Sequence, residues 1–257
     1  MHDVRSKRLA IKLLLSEFRQ DRVEVGFLKH EFEVGRRLEH PHVIRMHDFG
    51  IDREDVYLAM DFFAAPNIKQ HIHQGVELFA PVLHRAIEQA AEGLGYFHEQ
   101  GWIHRDVKPD NFLMKPNGEV KLIDFALAQK RKRGLARLFA SKGKIQGTRS
   151  YMSPEQIRCQ PLDQRADIYS FGCMLYELVA GRAPFTGQTT ADLLNKHLKA
   201  VAPSVQSANR NVTEEFATLV RSMLSKSPDD RLPSMDDFLN HFRSIQVFKV
   251  PPAAVKR

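Results

Sequence analysis

The pattern of apolar and polar positions changes about a quarter of the way along the chain. Before that point, residues 7–15, 43–49 and 56–63 form short apolar runs that are typical of strands. Residues 27–38 repeat apolar side chains at helical spacing, and His40-Pro41 should stop this helix because the residue before proline avoids the helical region. The first part of the chain is therefore predicted to be a small sheet with one helix.

Longer helical patterns follow Pro66, and we expect a larger, mainly helical part there. The predicted helices span residues 80–100, 167–181, 191–199, 213–224 and 234–245. A Pro-Asn-Gly turn separates residues 112–114 from 120–123 and predicts a hairpin, since Asn-Gly favours a tight turn. Residues 126–153 show no sustained period and are predicted to be a long loop.

These elements predict an α+β fold with two lobes. The small antiparallel lobe would span residues 1–63, the helical lobe 64–246 and a tail 247–257. Composition changes this picture little, because 257 residues can bury a substantial core. The two cysteines, Cys159 and Cys173, form no metal or disulfide pattern, which favours a reducing, cytoplasmic location.

Neither a membrane span nor a nucleic-acid partner is predicted. The longest apolar stretch, residues 168–180, is shorter than the roughly 20 residues that a membrane helix needs. Lys12 interrupts the only apolar run near the start, so no signal peptide is expected. Eight basic residues and no acid lie between residues 126 and 153, whereas nucleic-acid binders usually spread basic charge over a face. Nothing in the sequence indicates the oligomeric state.

Candidate chemistry is concentrated in residues 104–111 (HRDVKPDN) and in Asp124. Asp106 could accept a proton from a hydroxyl group, and Lys108, two residues further on, could face the same side of an extended loop. Asn111 offers an amide oxygen, and the predicted hairpin should return Asp124 beside it. A carboxylate and an amide oxygen suit Mg²⁺ that carries substrate phosphates. Together these groups predict a phosphoryl-transfer site, although a surface loop with chance charges would contain the same residue types.

The segment 104–111, followed by Asp124-Phe125-Ala126, resembles the catalytic loop and metal-binding motif of eukaryotic-type (Hanks-type) serine/threonine protein kinases. Lys108 stands where the serine/threonine class has its lysine. The resemblance implies a protein-kinase-like fold and transfer of the γ-phosphoryl group of ATP, with Mg²⁺, to a protein hydroxyl. Asp106 and Lys108 would be catalytic, and Asn111 and Asp124 would bind the metal.

The resemblance also implies a nucleotide site. Residues 9–12 resemble the family's Val-Ala-Ile-Lys strand, so that Lys12 would contact the ATP phosphates and pair with Glu31. Alternatively, Lys12 could be an ordinary lysine on an edge strand, and Glu31 could lie on a solvated helix face. Five residues would surround the adenine, with Met60 as gatekeeper, and plain core packing explains their apolar members equally well. They are Ala10, Met60, Asp61, Phe63 and Leu113.

Residues 147–155 resemble the family's Gly-Thr-x-x-Tyr-Met-Ala-Pro-Glu segment. By this resemblance, Thr148 is a further catalytic-site residue and would hydrogen-bond toward Asp106 and Lys108. Glu155 would form a buried ion pair with Arg231. Asp167 would brace the backbone of the catalytic loop, a role that is compatible with capping its own helix.

The chain departs from the family at several positions. None of the eleven residues before Lys12 is glycine, so the glycine-rich loop that covers the phosphates is missing here, through truncation, a misplaced start codon or real loss. Weak ATP binding with slow turnover is expected of the chain as given. Gly35 replaces a bulky apolar residue and should leave space that a leucine could fill. Ala126 replaces a glycine and should be strained at positive φ. Ser141, in the basic segment 130–149, is a candidate phosphorylation site that could pair with Arg105. A solvated loop and a surface that recognises acidic substrates are the alternative interpretations of this segment.

Two alternatives remain beside the kinase prediction. Small-molecule phosphotransferases of the aminoglycoside type share the fold, but they typically have glycine at the position of Arg105 and histidine at that of Lys108. A catalytically silent kinase-like scaffold is favoured by the missing loop and by Gly35. Retention of the charged residues of the predicted site argues against the scaffold.

Overall fold

The computed structural model describes residues 8–131 and 146–250. Its first part is a three-stranded antiparallel sheet with strand order β1-β3-β2, packed against one helix. The elements are β1 (Leu9–Leu13), α1 (Arg22–Gly35), β2 (Met46–Asp52) and β3 (Asp55–Asp61). The tight turn between β2 and β3 places Arg53 at a φ of 56°. This sheet and helix confirm the predicted small antiparallel part of an α+β fold.

The second part is mainly helical. Its helices are α2 (Ile68–Gln74), α3 (Ala80–Glu99), α4 (Pro154–Ile157), α5 (Arg165–Ala180), α6 (Thr190–Lys199), α7 (Glu214–Met223) and α8 (Met235–Phe242). Two small strand pairs lie among them: β4 (Trp102–Ile103) with β7 (Gln129–Lys130), and the hairpin β5 (Phe112–Met114) with β6 (Val120–Leu122). Helix α5 is buried along nearly its whole length and forms the centre of this part.

Local sequence explains where α1 begins. The Asp21 side chain accepts a hydrogen bond from the Val23 N–H at 2.8 Å and caps the helix, which therefore starts five residues before the predicted position. Leu28 and Val34 pack into the core, as the periodicity predicts. The same helix face buries Glu31, so the interpretation of Glu31 as a solvated residue is wrong.

Two short helices, α2 and α4, are absent from the elements that periodicity predicts. Both have a reciprocal capping box, formed by Asn67 with Gln70 and by Ser153 with Gln156. Strand β7 and a short 3₁₀ turn at Arg149–Tyr151 give structure to the ends of the predicted long loop, of which residues 132–145 lie outside the described part. Within residues 8–131 and 146–250, none of the helices combines the length and apolar composition needed to cross a bilayer.

The expectation that Gly35 leaves space is wrong. A Cβ atom added there would lie 2.4 Å from Met46 Cγ and 3.1 Å from the Phe125 ring, so these two side chains already fill the volume. The Phe125 ring is fully buried, lies 5.2 Å from the Phe97 ring at a tilt of 30°, and packs edge-on at 6.0 Å against His104. Glycine therefore permits a close approach of α1 to this aromatic column.

We expect Gly35→Ala to lower the free energy of unfolding by about 1–3 kcal/mol, the usual cost of overpacking a filled core. Gly26→Ala, in the exposed interior of the same helix with no atom within 4 Å of the added Cβ, should instead raise it by up to about 1 kcal/mol. Urea unfolding of both variants measures the difference. A stabilised Gly35→Ala variant would show that Met46 and Phe125 leave room.

Candidate active site

The backbone of the predicted catalytic loop is fixed by Asp167, in the first turn of α5. Its Oδ2 accepts the His104 N–H at 2.7 Å and its Oδ1 accepts the Arg105 N–H at 2.8 Å. These two bonds hold Arg105 at a φ of 69°, a left-handed conformation that costs energy for a residue other than glycine. Asp167 thus occupies the bracing position that the kinase resemblance implies.

Asp106, Lys108 and Thr148 form a closed set of contacts. Lys108 Nζ lies 2.6 Å from Asp106 Oδ2 and donates to Thr148 Oγ1 at 2.8 Å, while the Thr148 N–H donates to Asp106 Oδ1 at 2.7 Å. Burial raises the pKa of Asp106, but the Lys108 ammonium and the Thr148 donors outweigh it, and the pKa is lower than usual. Asp106 is therefore an oriented, ionised carboxylate at neutral pH.

The hairpin returns the backbone at Ile123, next to Asp124, to Asn111. The Asn111 Nδ2 amide donates to the Asp106 carbonyl at 2.8 Å and lies 3.4 Å from Asp106 Oδ2. The Ile123 N–H donates to the Asn111 carbonyl at 2.9 Å, so Asp124 follows directly after a backbone link to Asn111. In the described part of the chain, Asn111 Oδ1 has no hydrogen-bond partner and remains available as an oxygen donor.

Lys12 connects the sheet to this arrangement. Its Nζ lies 2.8 Å from Glu31 Oε2 and 3.8 Å from Asp124 Oδ1, so the predicted pair with Glu31 is formed. Burial lowers the pKa of Lys12, but the Glu31 and Asp124 carboxylates outweigh it, and the pKa is higher than usual. Lys12 lies on an edge strand with its side chain 43% exposed, and its ammonium is paired with the buried Glu31 carboxylate.

The five predicted adenine-site residues are half-buried: Met60 and Asp61 end β3, Phe63 follows it, and Ala10 and Leu113 lie in β1 and β5. Ala10 and Met60 are direct partners across β1 and β3, and Leu9 pairs with Asp61. Leu113 reaches the start of α2 from the hairpin, where it forms a bridge with Asn67. Phe63, two residues beyond β3, has the Lys115 ammonium 4.5 Å above its ring.

The expected strain at Ala126 is not present. The left-handed residue of this motif is Asp124, with a φ of 65°, and Ala126 has a negative φ. The Ala126 N–H donates to Asp124 Oδ1 at 3.3 Å, and this contact supports the turn from within. Alanine is therefore tolerated here, and the expectation of a strain cost at this position is wrong.

Glu155 and Arg231 form the predicted buried ion pair. Two parallel hydrogen bonds of 2.7 and 2.9 Å join the guanidinium to the carboxylate. Arg231 also donates to the carbonyl oxygens of Arg165 and Ser225, each at 2.8 Å. The pair ties the α4 segment, and with it the chain that follows Thr148, to the helical core.

The comparison with known families decides which of the alternatives applies. A family model described as protein kinase domain matches residues 1–242. The chain belongs to this family. The resemblance to protein kinases is thereby confirmed, and the alternative of an aminoglycoside-type phosphotransferase has no comparable support.

Curated relatives of this kinase domain come from several bacteria. It is 27% identical over 247 residues to a probable serine/threonine-protein kinase of Clostridium acetobutylicum, covering 96% of this chain and 37% of that protein. It is 27% identical to the serine/threonine-protein kinase PrkC of Bacillus subtilis, covering 90% and 35%, respectively. It is 30% identical to the serine/threonine-protein kinase PknH of Mycobacterium bovis, covering 92% and 39%. The chain therefore spans little more than a third of the length of these relatives.

Two polar contacts of the kinase domain could not be anticipated from the sequence motifs. The His98 Nε2 atom lies 2.8 Å from Asp167 Oδ2, and the Gln156 side-chain amide donates to the Arg105 carbonyl at 2.9 Å. Both side chains support the catalytic loop from behind. Only the capping box of Gln156 could have been found in the sequence, because a buried histidine near a helix end has no characteristic pattern. Ser141 and most of the basic segment lie outside the described residues.

Proposed function

We propose that this domain is an ATP- and Mg²⁺-dependent protein kinase that phosphorylates serine or threonine, with a small lobe at residues 1–63, a helical lobe at 64–246 and a tail at 247–257. One observation carries the proposal. Contacts join Lys12 to Asp124, Asn111 to Asp106, and Asp106 to Lys108, and the backbone of Ile123, the neighbour of Asp124, is hydrogen-bonded to Asn111. The relatives that are named serine/threonine-protein kinases support this choice of acceptor.

In the proposed reaction, the acceptor oxygen forms a bond to the γ-phosphorus while the bond between that phosphorus and the bridging oxygen of ADP breaks. Asp106 accepts the proton of the acceptor hydroxyl, since it is ionised and held by Lys108 and by the Thr148 N–H. Lys108 remains charged beside it and can stabilise the moving phosphoryl group. Thr148 orients both side chains.

The residues present fit a magnesium ion. Asn111 Oδ1 and the Asp124 carboxylate are hard oxygen donors, the type that Mg²⁺ prefers, and the Ile123 N–H bond to the Asn111 carbonyl keeps the two residues close along the backbone. When bound, the ion neutralises negative charge on the phosphates. Lys12, fixed by Glu31, would hold the phosphates from the sheet side, and Ala10, Met60, Asp61, Phe63 and Leu113 would enclose the adenine.

The scaffold alternative is less well supported, because the charged residues of the site are retained and already oriented toward one another. We also predict that the 257-residue chain binds ATP weakly and turns over slowly, as expected without a glycine-rich loop.

Removal of the Lys108 cation should change the pH dependence of transfer. The pKa of Asp106 lies below its usual value, so in the wild type transfer is lost only as the pH falls through that lowered pKa. In the Lys108→Met variant, the burial that raises the pKa of Asp106 is opposed by the Thr148 donors alone, so the pKa of Asp106 rises. The acidic limb of the pH profile of single-turnover transfer should therefore move to higher pH. Lys115→Met, which removes a cation paired with Glu119 on the hairpin, should leave the limb unchanged. Coincident limbs in all three proteins would contradict the proposed charge pairing.

The proposed activity is tested by incubating the chain with radiolabelled ATP, Mg²⁺ and myelin basic protein, followed by phosphoamino acid analysis. We expect phosphoserine and phosphothreonine that disappear when EDTA is added. Label on tyrosine alone, or transfer that is insensitive to EDTA, would reject the proposal. Saturable nucleotide binding without transfer would favour the scaffold alternative.

A further inference from the structure

A histidine on α1 forms a hydrogen bond that reaches the chain just beyond Asp124. The His30 Nε2 atom lies 2.8 Å from the Ala128 carbonyl oxygen, 98 residues further along the chain. A carbonyl oxygen can only accept, so Nε2 carries a hydrogen and donates it, whether the ring is neutral or charged. The bond therefore joins the helix of the small sheet to the second, mainly helical part of the molecule.

The acceptor of this bond lies in a segment that is itself fixed. The Ala128 N–H donates to the Phe125 carbonyl at 3.0 Å and closes the turn that begins beside Asp124. Directly after Ala128, β7 pairs with β4, the strand that leads into the catalytic loop. The His30 ring also meets the Trp102 ring of β4 edge-on, with the ring centroids 6.2 Å apart. His30 thus docks α1 on the chain at both strands of this pair.

The next residue of α1 belongs to the proposed nucleotide site. Glu31 Oε2 lies 2.8 Å from Lys12 Nζ, which in turn lies 3.8 Å from Asp124 Oδ1. Because an α-helix has 3.6 residues per turn, neighbouring side chains project about 100° apart around its axis. The helix cannot rotate about its axis while His30 and Glu31 both keep their partners. The His30 bond therefore fixes the direction in which the Glu31 carboxylate points.

The close approach at Gly35 does not supply this control. Gly35 lies four residues after Glu31 on the same face of α1 and is packed against Met46 and Phe125. Glycine has no side chain that could form a directed bond, so this contact sets how near α1 comes to the aromatic column. His30 is only half-buried, and a leucine would fill its space beside Trp102 without donating a hydrogen bond. Substitution can therefore separate the bond from the packing.

We infer that His30 is a positioning residue for the Lys12–Glu31 pair: its bond to the Ala128 carbonyl holds α1 at the rotation that directs Glu31 to Lys12. His30 acts through Glu31, so its loss weakens the hold on the nucleotide phosphates and spares the acceptor side near Lys108. The effect on ATP rests on the proposed kinase function. The attachment of α1 is a structural feature that can be tested without nucleotide.

The first test measures equilibrium binding of a non-hydrolysable ATP analogue with Mg²⁺ to variants at His30. In His30→Leu the Kd should rise about threefold to tenfold, as expected for one lost neutral hydrogen bond, while the KM for myelin basic protein stays near wild type. In His30→Gln the side-chain amide can still donate, and the Kd should return to within about twofold of wild type. His241→Leu is the matched control, because the His241 ring contacts the Asp237 carbonyl within the exposed face of α8.

A double variant tests whether His30 acts through Glu31. In a Glu31→Gln background, His30→Leu should not raise the Kd further, because the pair that it positions is already lost. Hydrogen exchange gives a result that needs no nucleotide. Exchange at the amides of α1 (Arg22–Gly35) should accelerate in His30→Leu and stay at the wild-type rate in His30→Gln and in His241→Leu.

Wild-type binding and exchange in His30→Leu would overturn the inference. Equal defects in His30→Leu and His30→Gln would also overturn it, since packing of the ring would then explain both. Additive effects of His30→Leu and Glu31→Gln, or an equal rise in the KM values for ATP and for myelin basic protein, would show that His30 does not act through Glu31. If the wild-type protein neither binds nucleotide nor transfers phosphate, the proposed function fails, and exchange in α1 still decides whether His30 holds the helix.

Discussion

Asp106→Asn should reduce phosphoryl transfer by about 10²–10⁴-fold, the usual contribution of a positioned proton acceptor. Asparagine has the size of the carboxylate but cannot accept the proton of the acceptor hydroxyl. Nucleotide binding should be nearly unchanged, because Lys12 and its partner Glu31 lie on the opposite, sheet side of the site. Single-turnover transfer and equilibrium binding of an ATP analogue measure the two effects separately.

Asp229→Asn is the control for this substitution. Asp229 is an exposed carboxylate that pairs with Arg165, away from the catalytic loop, and its loss should leave transfer unchanged. Equal activity of Asp106→Asn and wild type would show that Asp106 does not accept the proton. Parallel loss of nucleotide binding would indicate that the substitution disrupts the whole site.

Arg231→Ala should strongly destabilise the folded domain. It leaves the buried Glu155 carboxylate without a partner, and breaking such a pair from one side costs about 3–5 kcal/mol. The loss also removes donors from the Arg165 and Ser225 carbonyls. For a domain of this size, the melting temperature should fall by more than about 6 °C.

Arg243→Ala is the matched control, because this arginine forms ion pairs with Glu88 and Glu92 on the surface. Its side chain is 52% exposed, and such pairs contribute at most about 1 kcal/mol. Thermal and urea unfolding of the two arginine variants give the comparison. Similar stabilities would mean that the Glu155–Arg231 pair is no more important than a surface pair.

Much of the candidate site could be predicted because its residues are close in sequence. Asp106, Lys108 and Asn111 lie in one loop, and the Asn-Gly turn of the hairpin shows that Asp124 must return beside Asn111. The long helices could also be predicted, since each buries one face over several turns and so repeats apolar residues at helical spacing. Helices α2 and α4 are too short for periodicity, and only their capping boxes indicate them.

What could not be predicted depends on neighbours that are distant in sequence. From the sequence, Gly35 was expected to leave a cavity beside its helix. The side chains of Met46 and Phe125, which come from other parts of the chain, fill that volume. Strain was expected at Ala126, whereas the backbone places the left-handed residue at Asp124. The buried positions of His98 and His197 follow from the packing of α5 against other helices, which no local pattern encodes.

The central claim is that Lys12, Asp106, Asn111 and Asp124 surround one metal–nucleotide site. The most direct test is an NMR titration with Mn²⁺ and a non-hydrolysable ATP analogue, in which resonances near the paramagnetic ion broaden. We predict selective broadening of the Asn111 side-chain amide and of the Asp124 backbone amide, only when nucleotide and metal are both present, with the Asn209 side-chain amide, which donates to the Val179 carbonyl, unaffected. Broadening that avoids Asn111 and Asp124, or that is the same without nucleotide, would contradict the claim.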